Sequence, residues 1–583
     1  MALPVNNVDI KQRVYQDFSG VDFSNEEVKT YRSPDAVNMW KNYNNALGKG
    51  IETRPGMTLL GSFGLRIYGL YFYEINDITQ VLVHSGTKLY RWNNYPNMPV
   101  LDTDKTELFT GMNVRESQAF VFNNILFIKD GINYLEYNGE TIKEVLGTIP
   151  TTTISKVPSG AGEVYQDVNL LTSRRKNSFV ADGISVEYVL DATELDNDPI
   201  IATVNGETLL EVVGFDVDRT KGIVTFKTAP TKPLTDGQDN VIIEFSKTIS
   251  GNSEKIKKCN LLSVFDNRIF FSGNQDYPNV LFHSELNDPR YVSDQNFYNE
   301  GVDFTPIKAI VPGNNCLYVF KESNQSNATV FYHTPTMDYD YGKIYPSIQA
   351  NISKGCVSTG INYNDDIVFL SKDGLEAIRT NEITSERLLA HRSSLVDKKM
   401  INEINYKEAK IVEYKGYLLV LINGKIYLAD YRQQYQNIDV EYEWYYWELP
   451  FNITFIKEDK NNLYLGNEYG SIYLLDGIKD DEKFIFSKWT TPKDAFGYEA
   501  YRKTTNKNGC IANVMQKNAI INVNTLIDGE KEELGSYTDE KGYIVCRIKR
   551  KKWKTIQLEF SSNNSFGLFL CTLEVFIGGY IKR

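Results

Sequence analysis

Short apolar runs, each cut by Asn, Asp or Gly, recur along the chain. They include Gln80–Tyr90, Asn124–Gly131, Asn267–Gly273, Asn315–Phe320, Asp366–Gly374, Gly416–Gly424 and Asn462–Tyr473. Apolar stretches of this length between turn-forming residues predict β-strands, often paired as hairpins. The starts of these runs lie about 44 to 51 residues apart, with one exception. A repeat of roughly 40–50 residues built from strands is the mark that β-propeller blades leave in a sequence. Seven copies predict six to eight blades, because a terminal blade is commonly completed by strands from both chain ends.

The exception is the interval from Asn124 to Asn267. Residues 158–250 there follow a different pattern, in which the short runs Asn177–Gly183, Val186–Leu190, Gly222–Phe226 and Val241–Phe245 alternate between Asp, Gly and Pro turns. This predicts a small inserted β-sandwich, and removing it brings the interval back to about 50 residues. Residues 1–63 are polar and Asn-rich, with Pro34 and Pro55 as breakers. Within them Ser33–Trp40 predicts one helical turn, capped by Ser33 with Pro34 in the first helical position. From Lys488 the alternation resumes in Ala519–Val523, Tyr543–Ile548, Ile556–Phe560 and Leu568–Leu573, predicting a second β-sandwich. The expected fold is all-β: a propeller over 64–157 and 251–487, an inserted sandwich at 158–250, and a β-rich platform from 1–63 and 488–583.

Composition narrows the picture. A chain of 583 residues buries a large core without disulfides. Its 38 Tyr and 30 Phe against 18 Pro favour strands over disorder. The densest apolar patch, Tyr417–Ile422, has the length of a strand, well short of the ~18 residues of a membrane helix. The first residues lack the basic flank and apolar stretch of a secretion signal. The 6 Cys lie far apart with no C-x-x-C pair, which predicts free, buried thiols and synthesis in the cytoplasm. Asp and Glu (75) exceed Lys and Arg (63), for a net charge of −12, a balance that opposes stable binding to phosphate backbones.

Candidate chemistry is sparse. The 4 His (His84, His283, His333 and His391) are isolated. His283-Ser-Glu285 sets two side chains on one strand face but has no third ligand, and reads as a solvent-facing polar pair. Asp216–Gly222 opens like a calcium loop but lacks the further carboxylates, and reads as a turn before Ile223–Phe226. Asp338–Gly342 reads as a solvated loop. No phosphate-cradling glycine motif and no G-x-S-x-G elbow is present. Ser371–Gly374 departs from the Ser-x-Asp-x-Gly box of sialidase propellers because its Gly directly follows the Asp. No catalytic residue, metal, cofactor or small-molecule substrate is therefore expected. Charge is concentrated in Arg547–Lys554. Arg547, Lys549, Arg550, Lys551, Lys552 and Lys554 are candidates for contact with DNA or a neighbouring subunit. The plainer reading is a basic turn joining Tyr543–Ile548 to Trp553–Phe560 and facing acidic loops of a neighbour. Tyr442, Trp444, Tyr445, Tyr446 and Trp447 either stack on sugars, if exposed, or fill a core; alternation puts Tyr442, Trp444 and Tyr446 on one face.

Phe18–Asp22, Ser33–Met39 and Glu52–Met57 precede the propeller-like run. Trp489–Pro492, Phe496-Gly497 and the ending Phe576–Arg583 follow it. This order resembles the structural proteins of tailed bacteriophages known as tail nozzle, tail hub or packaged-DNA stabilisation proteins. The resemblance covers both ends and the propeller architecture; the N-terminal trio is its specific part, and the sandwich at 158–250 lies outside it. It implies a non-enzymatic virion protein, assembled in the host cytoplasm as a hexameric ring below the portal and adaptor. Such a ring also meets tail fibres or other tail proteins. Its channel retains packaged DNA, then conducts it during ejection with transient, non-specific contact. Under this resemblance Asp9–Gly56 and Lys488–Arg583 form the platform against the adaptor. Asp35, Asn38, Arg54, Pro55 and Gly56 are candidates for folding and for ring or adaptor contacts, with Arg54 suited to a bidentate pair with a neighbour's carboxylate. Two other readings stay open: a receptor- or glycan-binding tail protein using the inserted sandwich, and a propeller glycoside hydrolase.

Overall fold

The computed structural model describes residues 9–24, 27–43, 50–95, 101–339, 342–380, 387–432, 442–515, 519–538, 540–549 and 551–580. The described residues are nearly all β, with 53% strand and 3% helix. Seven antiparallel meanders of four strands follow one another along the chain. Their first strands are Ile67–Ile75, Gln118–Phe122, Leu261–Phe265, Ile307–Gly313, Cys356–Tyr363, Lys410–Tyr414 and Ile453–Asp459. Each contains one copy of the repeat seen in the sequence.

The reason for the repeat is backbone geometry. In every meander a two-residue turn joins the first strand to the second, and both residues take positive φ. The pairs are Asn76-Asp77, Asn123-Asn124, Asp266-Asn267, Asn314-Asn315, Asn364-Asp365, Lys415-Gly416 and Lys460-Asn461. Such a turn matches the twist of the flanking strands, and Asn, Asp and Gly are the residues that tolerate it. The second strands then run almost wholly apolar and buried, as in Cys316–Lys321 and Tyr417–Ile422. They are the centre of each sheet, covered on both faces.

The chain divides into two compact units. One comprises 1–72, 92–106 and 356–583; the other comprises 73–91 and 107–355. In the first unit the last meander is completed from the other end of the chain. Its strands are Ile453–Asp459, Asn462–Asn467, Ser471–Leu475 and then Met57–Ser62, antiparallel to Ser471–Leu475, and the sheet is extended beyond Met57–Ser62 by the short pair Lys479–Asp480 and Lys483–Phe484. The C-terminal region forms a four-stranded sheet from Ser487–Thr490, Ile556–Ser562, Ile520–Ile527 and Glu530–Thr538. It also forms a six-stranded sheet in which N-terminal strands take part: Asp9–Tyr15 and Ile51–Thr53 both pair with the long strand Gly567–Tyr580. One continuous core of this unit runs from Tyr15 and Trp40 through Trp444 and Trp447 to Trp489, Trp553 and Phe560.

In the second unit the insertion begins earlier than residue 158. Thr151–Lys156 is already a strand, parallel to Arg174–Phe179, and the sheet ends at Ser246. The insertion's own six-stranded sheet, in the order Glu163–Val164, Thr151–Lys156, Arg174–Phe179, Val241–Ser246, Ile201–Val204 and Glu207–Leu210, faces a three-stranded one made from Glu187–Val189, Ile223–Phe226 and Phe215–Asp218. Phe179, Tyr188, Phe215, Phe226 and Phe245 fill the space between them.

The helical turn expected at Ser33–Trp40 does not form. Ser33 pairs as a bridge with Val21, and Val37 bridges to Lys488. The Ser33 hydroxyl accepts the Asp35 N–H (3.2 Å), as an N-cap would, but donates to the Thr490 carbonyl at 2.7 Å. Ser-Pro-Asp serves a turn as well as a helix start, and a tertiary partner decides between them.

Candidate functional site

The residues singled out near the N-terminus converge on one buried junction. Arg54 is 2% exposed. Its Nη1 and Nη2 donate to Asp480 Oδ1 and Oδ2 at 2.8 and 2.7 Å. Nε donates to Asn38 Oδ1 at 2.9 Å, and further bonds reach the Pro55 and Glu448 carbonyls. The expectation that Arg54 would pair with a neighbouring subunit is therefore corrected. The bidentate pair is internal, and the fork is occupied within its own chain. Removing one partner of such a buried pair costs about 3–5 kcal/mol, because the other charge is left uncompensated.

Asn38 is the second member. It sits at φ +56, a conformation Asn tolerates. Its Nδ2 donates to the Phe486 carbonyl at 2.8 Å, and its Oδ1 also accepts the Glu448 N–H at 2.9 Å. Gly56 follows for a steric reason: a Cβ there would lie 2.0 Å from the Lys479 carbonyl oxygen. Pro55 is half-buried at the turn into Met57–Ser62. Asp35 stands apart from this group, exposed and paired with Lys488 at 2.5 Å. Phe18 meets Trp489 edge-on with ring centroids 5.3 Å apart. The motifs quoted from the two ends of the chain are thus packed against one another. Sequence reasoning missed Asp480 and Glu448, which carry no motif and lie some four hundred residues from Arg54.

The basic run is not a hairpin turn. It crosses from Tyr543–Cys546 in the six-stranded sheet to Ile556–Ser562 in the four-stranded one. Ile548 and Trp553 anchor it in the core. Lys549 and Lys551 both reach Glu532, at 3.2 and 2.8 Å, so an acidic partner comes from the same chain. Arg547, Lys552 and Lys554 are exposed; Arg550 lies outside the described residues.

The other candidates resolve into structure. Tyr442, Trp444, Tyr445, Tyr446 and Trp447 are all 0–1% exposed, so a sugar-stacking role for this cluster is overturned. The strand Glu443–Glu448 is covered on both faces; Trp447 packs edge-on against Trp40, and Trp444 Nε1 donates to the Arg392 carbonyl. His283 is not solvent-facing: it is 6% exposed, stacks on Tyr298, and burial pushes its pKa down to about 4. Glu285 pairs with Arg268 at 3.1 Å. Asp216 pairs with Lys227, and Asp218 accepts the Lys221 N–H inside the turn. Asp340 and Tyr341 of the Asp338–Gly342 loop lie outside the described residues. Among the described residues no three His, Cys, Asp or Glu side chains are grouped so as to hold a metal ion. All 6 cysteines are buried, and none forms a disulfide.

No protein-family model matches the chain, and no curated protein matches it. Solved structures do match. The computationally designed Ika8 protein is 10% identical, with a TM-score of 0.31 over 72% of this chain and 99% of its own. BamB from Moraxella catarrhalis is 11% identical, with a TM-score of 0.31 over 72% of this chain and 97% of its own. An exo-beta-1,3-galactanase from Phanerochaete chrysosporium is 10% identical, with a TM-score of 0.22 over 54% of this chain and 95% of its own.

Proposed function

We propose that this chain is a structural protein of a bacteriophage tail, a nozzle or hub subunit. It forms a ring below the portal and adaptor, retains packaged DNA and conducts it during ejection. The observation that carries this reading is the convergence of the family-like motifs. Ser33, Asn38, Arg54 and Gly56 from one end, and Trp489 and Thr490 from the other, build one junction. A motif set that is dispersed in sequence but joined in space belongs to a single structural device, here a platform made by both chain ends. We further propose that the seven meanders close as the blades of one propeller, with Met57–Ser62 completing the last.

A conduit acts by shape and charge. At −12 per chain, six copies carry about −72 before local patterning, which lets a polyanion slide instead of adhering. Of the basic run, Lys549 and Lys551 are already held by Glu532. Among the described residues this leaves Arg547, Lys552 and Lys554 as the side chains for transient contact with duplex DNA or a neighbour. Asp35 is the exposed member of the N-terminal set and the one suited to a subunit or adaptor contact.

The test is native mass spectrometry of the purified full chain, with negative-stain images of the same sample. A species of six chains, about 400 kDa, with a central hole is the expected result. A monomer of 66.7 kDa at every concentration, with no ring in the images, overturns the self-assembling conduit.

A further inference from the structure

The inserted sandwich carries a charged side chain that its own fold does not use. Along Arg174–Phe179, alternation turns Arg175, Asn177 and Phe179 toward the space between the two sheets. Asn177 and Phe179 are fully enclosed, and Arg175 is 7% exposed. The other arginines of this domain are paired: Arg174 with Glu244 at 2.7 Å, and Arg219 with both oxygens of Glu211 at 2.6 and 2.8 Å. Arg175 has no carboxylate partner among the described residues. Its Nε–H has no acceptor, and its single hydrogen bond is a long one, 3.5 Å from Nη2 to the Lys247 carbonyl. Phe245 lies under the guanidinium, 6.0 Å away.

Arg175 lines a cleft of about 410 Å³ in this domain, together with Lys221, Lys247, Asp191 and Thr193. Lys247 Nζ donates to the Glu194 carbonyl at 2.6 Å. Lys221 stands on the rim, 72% exposed, beside Asp218. The cleft therefore has an excess of positive charge whose most buried member lacks a counter-ion. Burying an unpaired charge is costly, and a ligand that supplies the opposite charge removes the cost. The volume lies in the range of small-molecule sites.

The rest of the lining says which anion. Asp191 is fixed in place: its carboxylate accepts the Thr152 hydroxyl at 2.5 Å, and its N–H donates to Asn177 Oδ1 at 2.8 Å. An acid beside the cationic groups disfavours a bare oxyanion but accepts hydroxyl donors. Thr193 adds a second hydroxyl partner, and Val189, Ala192 and Ile249 form an apolar wall. An anion, several hydroxyls and a C–H face are the features of a charged sugar ring.

We propose that this cleft binds an acidic saccharide unit, with its carboxylate or phosphate on Arg175, its hydroxyls on Asp191 and Thr193, and its apolar face against Val189 and Ala192. The site does not depend on ring formation or on the conduit, and its test is separate from theirs.

The experiment titrates the full chain with glucuronate, N-acetylneuraminate and glucose 6-phosphate. Glucose and inorganic phosphate are run in parallel, and binding is read by saturation-transfer NMR and calorimetry. The acidic sugars are expected to bind at least about tenfold more tightly than either control, the scale of one charge-assisted pair. The carboxylate and phosphate sugars separate the two sources of the anion. Arg175→Gln is expected to lower the affinity by about tenfold or more. Lys221→Glu, on the exposed rim, is expected to weaken binding a few-fold, about what one surface charge contributes, with an unchanged circular dichroism spectrum. Equal affinity for glucose, or for inorganic phosphate, overturns the saccharide assignment. Absence of binding by all three acidic sugars overturns the site, as does unchanged affinity in folded Arg175→Gln or in Lys221→Glu.

Discussion

His391 shows how much a single side chain can carry without a motif. Its Nδ1 faces Glu376 Oε1 at 3.0 Å and its Nε2 faces Asp397 Oδ2 at 2.5 Å. Both ring nitrogens point at carboxylate oxygens, so the doubly protonated imidazolium fits and the neutral ring does not. The hydrogen bond to Asp397, then that to Glu376, raises its pKa from 6.5 to about 9, against a smaller opposing effect of burial. Because the folded value lies above the unfolded one, the stabilisation is fully present below pH 6.5 and is lost as the pH rises through about 9. Thermal unfolding of the wild type and of His391→Gln, followed from pH 6 to pH 10, checks this. The wild type is expected to be more stable at pH 6, with the difference shrinking above pH 9; a pH-independent difference would sink the assignment. His84 behaves oppositely, with burial lowering its pKa to about 4. In the sequence the four histidines look alike, because what separates them is register. Glu376 and His391 are cross-strand partners, and Asp397 reaches the ring from a short helix. The same limit hid Asp480 as the partner of Arg54.

At the scale of elements, the turns were the readable part. Asn, Asp and Gly recur at the starts of the apolar runs because the backbone there is left-handed, and few other residues hold it cheaply. Asn315, exposed at φ +58 between Gly313 and Cys316, tests this cleanly. Asn315→Gly is expected to be neutral within about 0.5 kcal/mol, and Asn315→Val to cost about 1–2 kcal/mol. Urea unfolding and amide exchange of the hairpin Ile307–Lys321 measure both, and equal stability of the two variants would refute the turn argument. Where chemistry is shared between structures, the sequence misleads. Ser33-Pro34-Asp35 has the capping residues of a helix, yet its hydroxyl is spent on Thr490. The aromatic strand Glu443–Glu448 shows alternation, but both of its faces are covered, and no pattern within six residues can report a second covering layer. The basic run looked like a hairpin because its flanks alternate; that the flanks belong to different sheets is a tertiary fact.

For the molecule as a whole, the ends of the chain act as structural members of the unit that holds them both. Met57–Ser62 completes a sheet begun at Ile453, and Asp9 lies opposite Ile577 in the pairing of Asp9–Tyr15 with Gly567–Tyr580. The ends of these paired strands are therefore adjacent, so what matters is that the strands are present, not where the chain is cut. Two variants separate these. Deleting residues 1–62 removes an inner strand of one sheet, leaving the short pair Lys479–Asp480 and Lys483–Phe484 without its neighbour, and three strands of another, baring the edges of Ser471–Leu475 and Gly567–Tyr580. Bare edges of that length pair with other chains, so this variant is expected to aggregate, visible as concentration-dependent light scattering. A circular permutant joins residue 580 to residue 9 through a linker of about six residues. It opens at Gly237, an exposed loop position where an added Cβ would meet nothing within 4 Å, and keeps every strand. It is expected to stay soluble, with the native circular dichroism spectrum and a urea midpoint close to that of the parent. If the truncated chain were soluble and unfolded at the parent's midpoint, the N-terminal strands would be ornaments on a fold closed without them. If the permutant alone failed, the order of synthesis, and not the completed sheets, would be what the fold depends on.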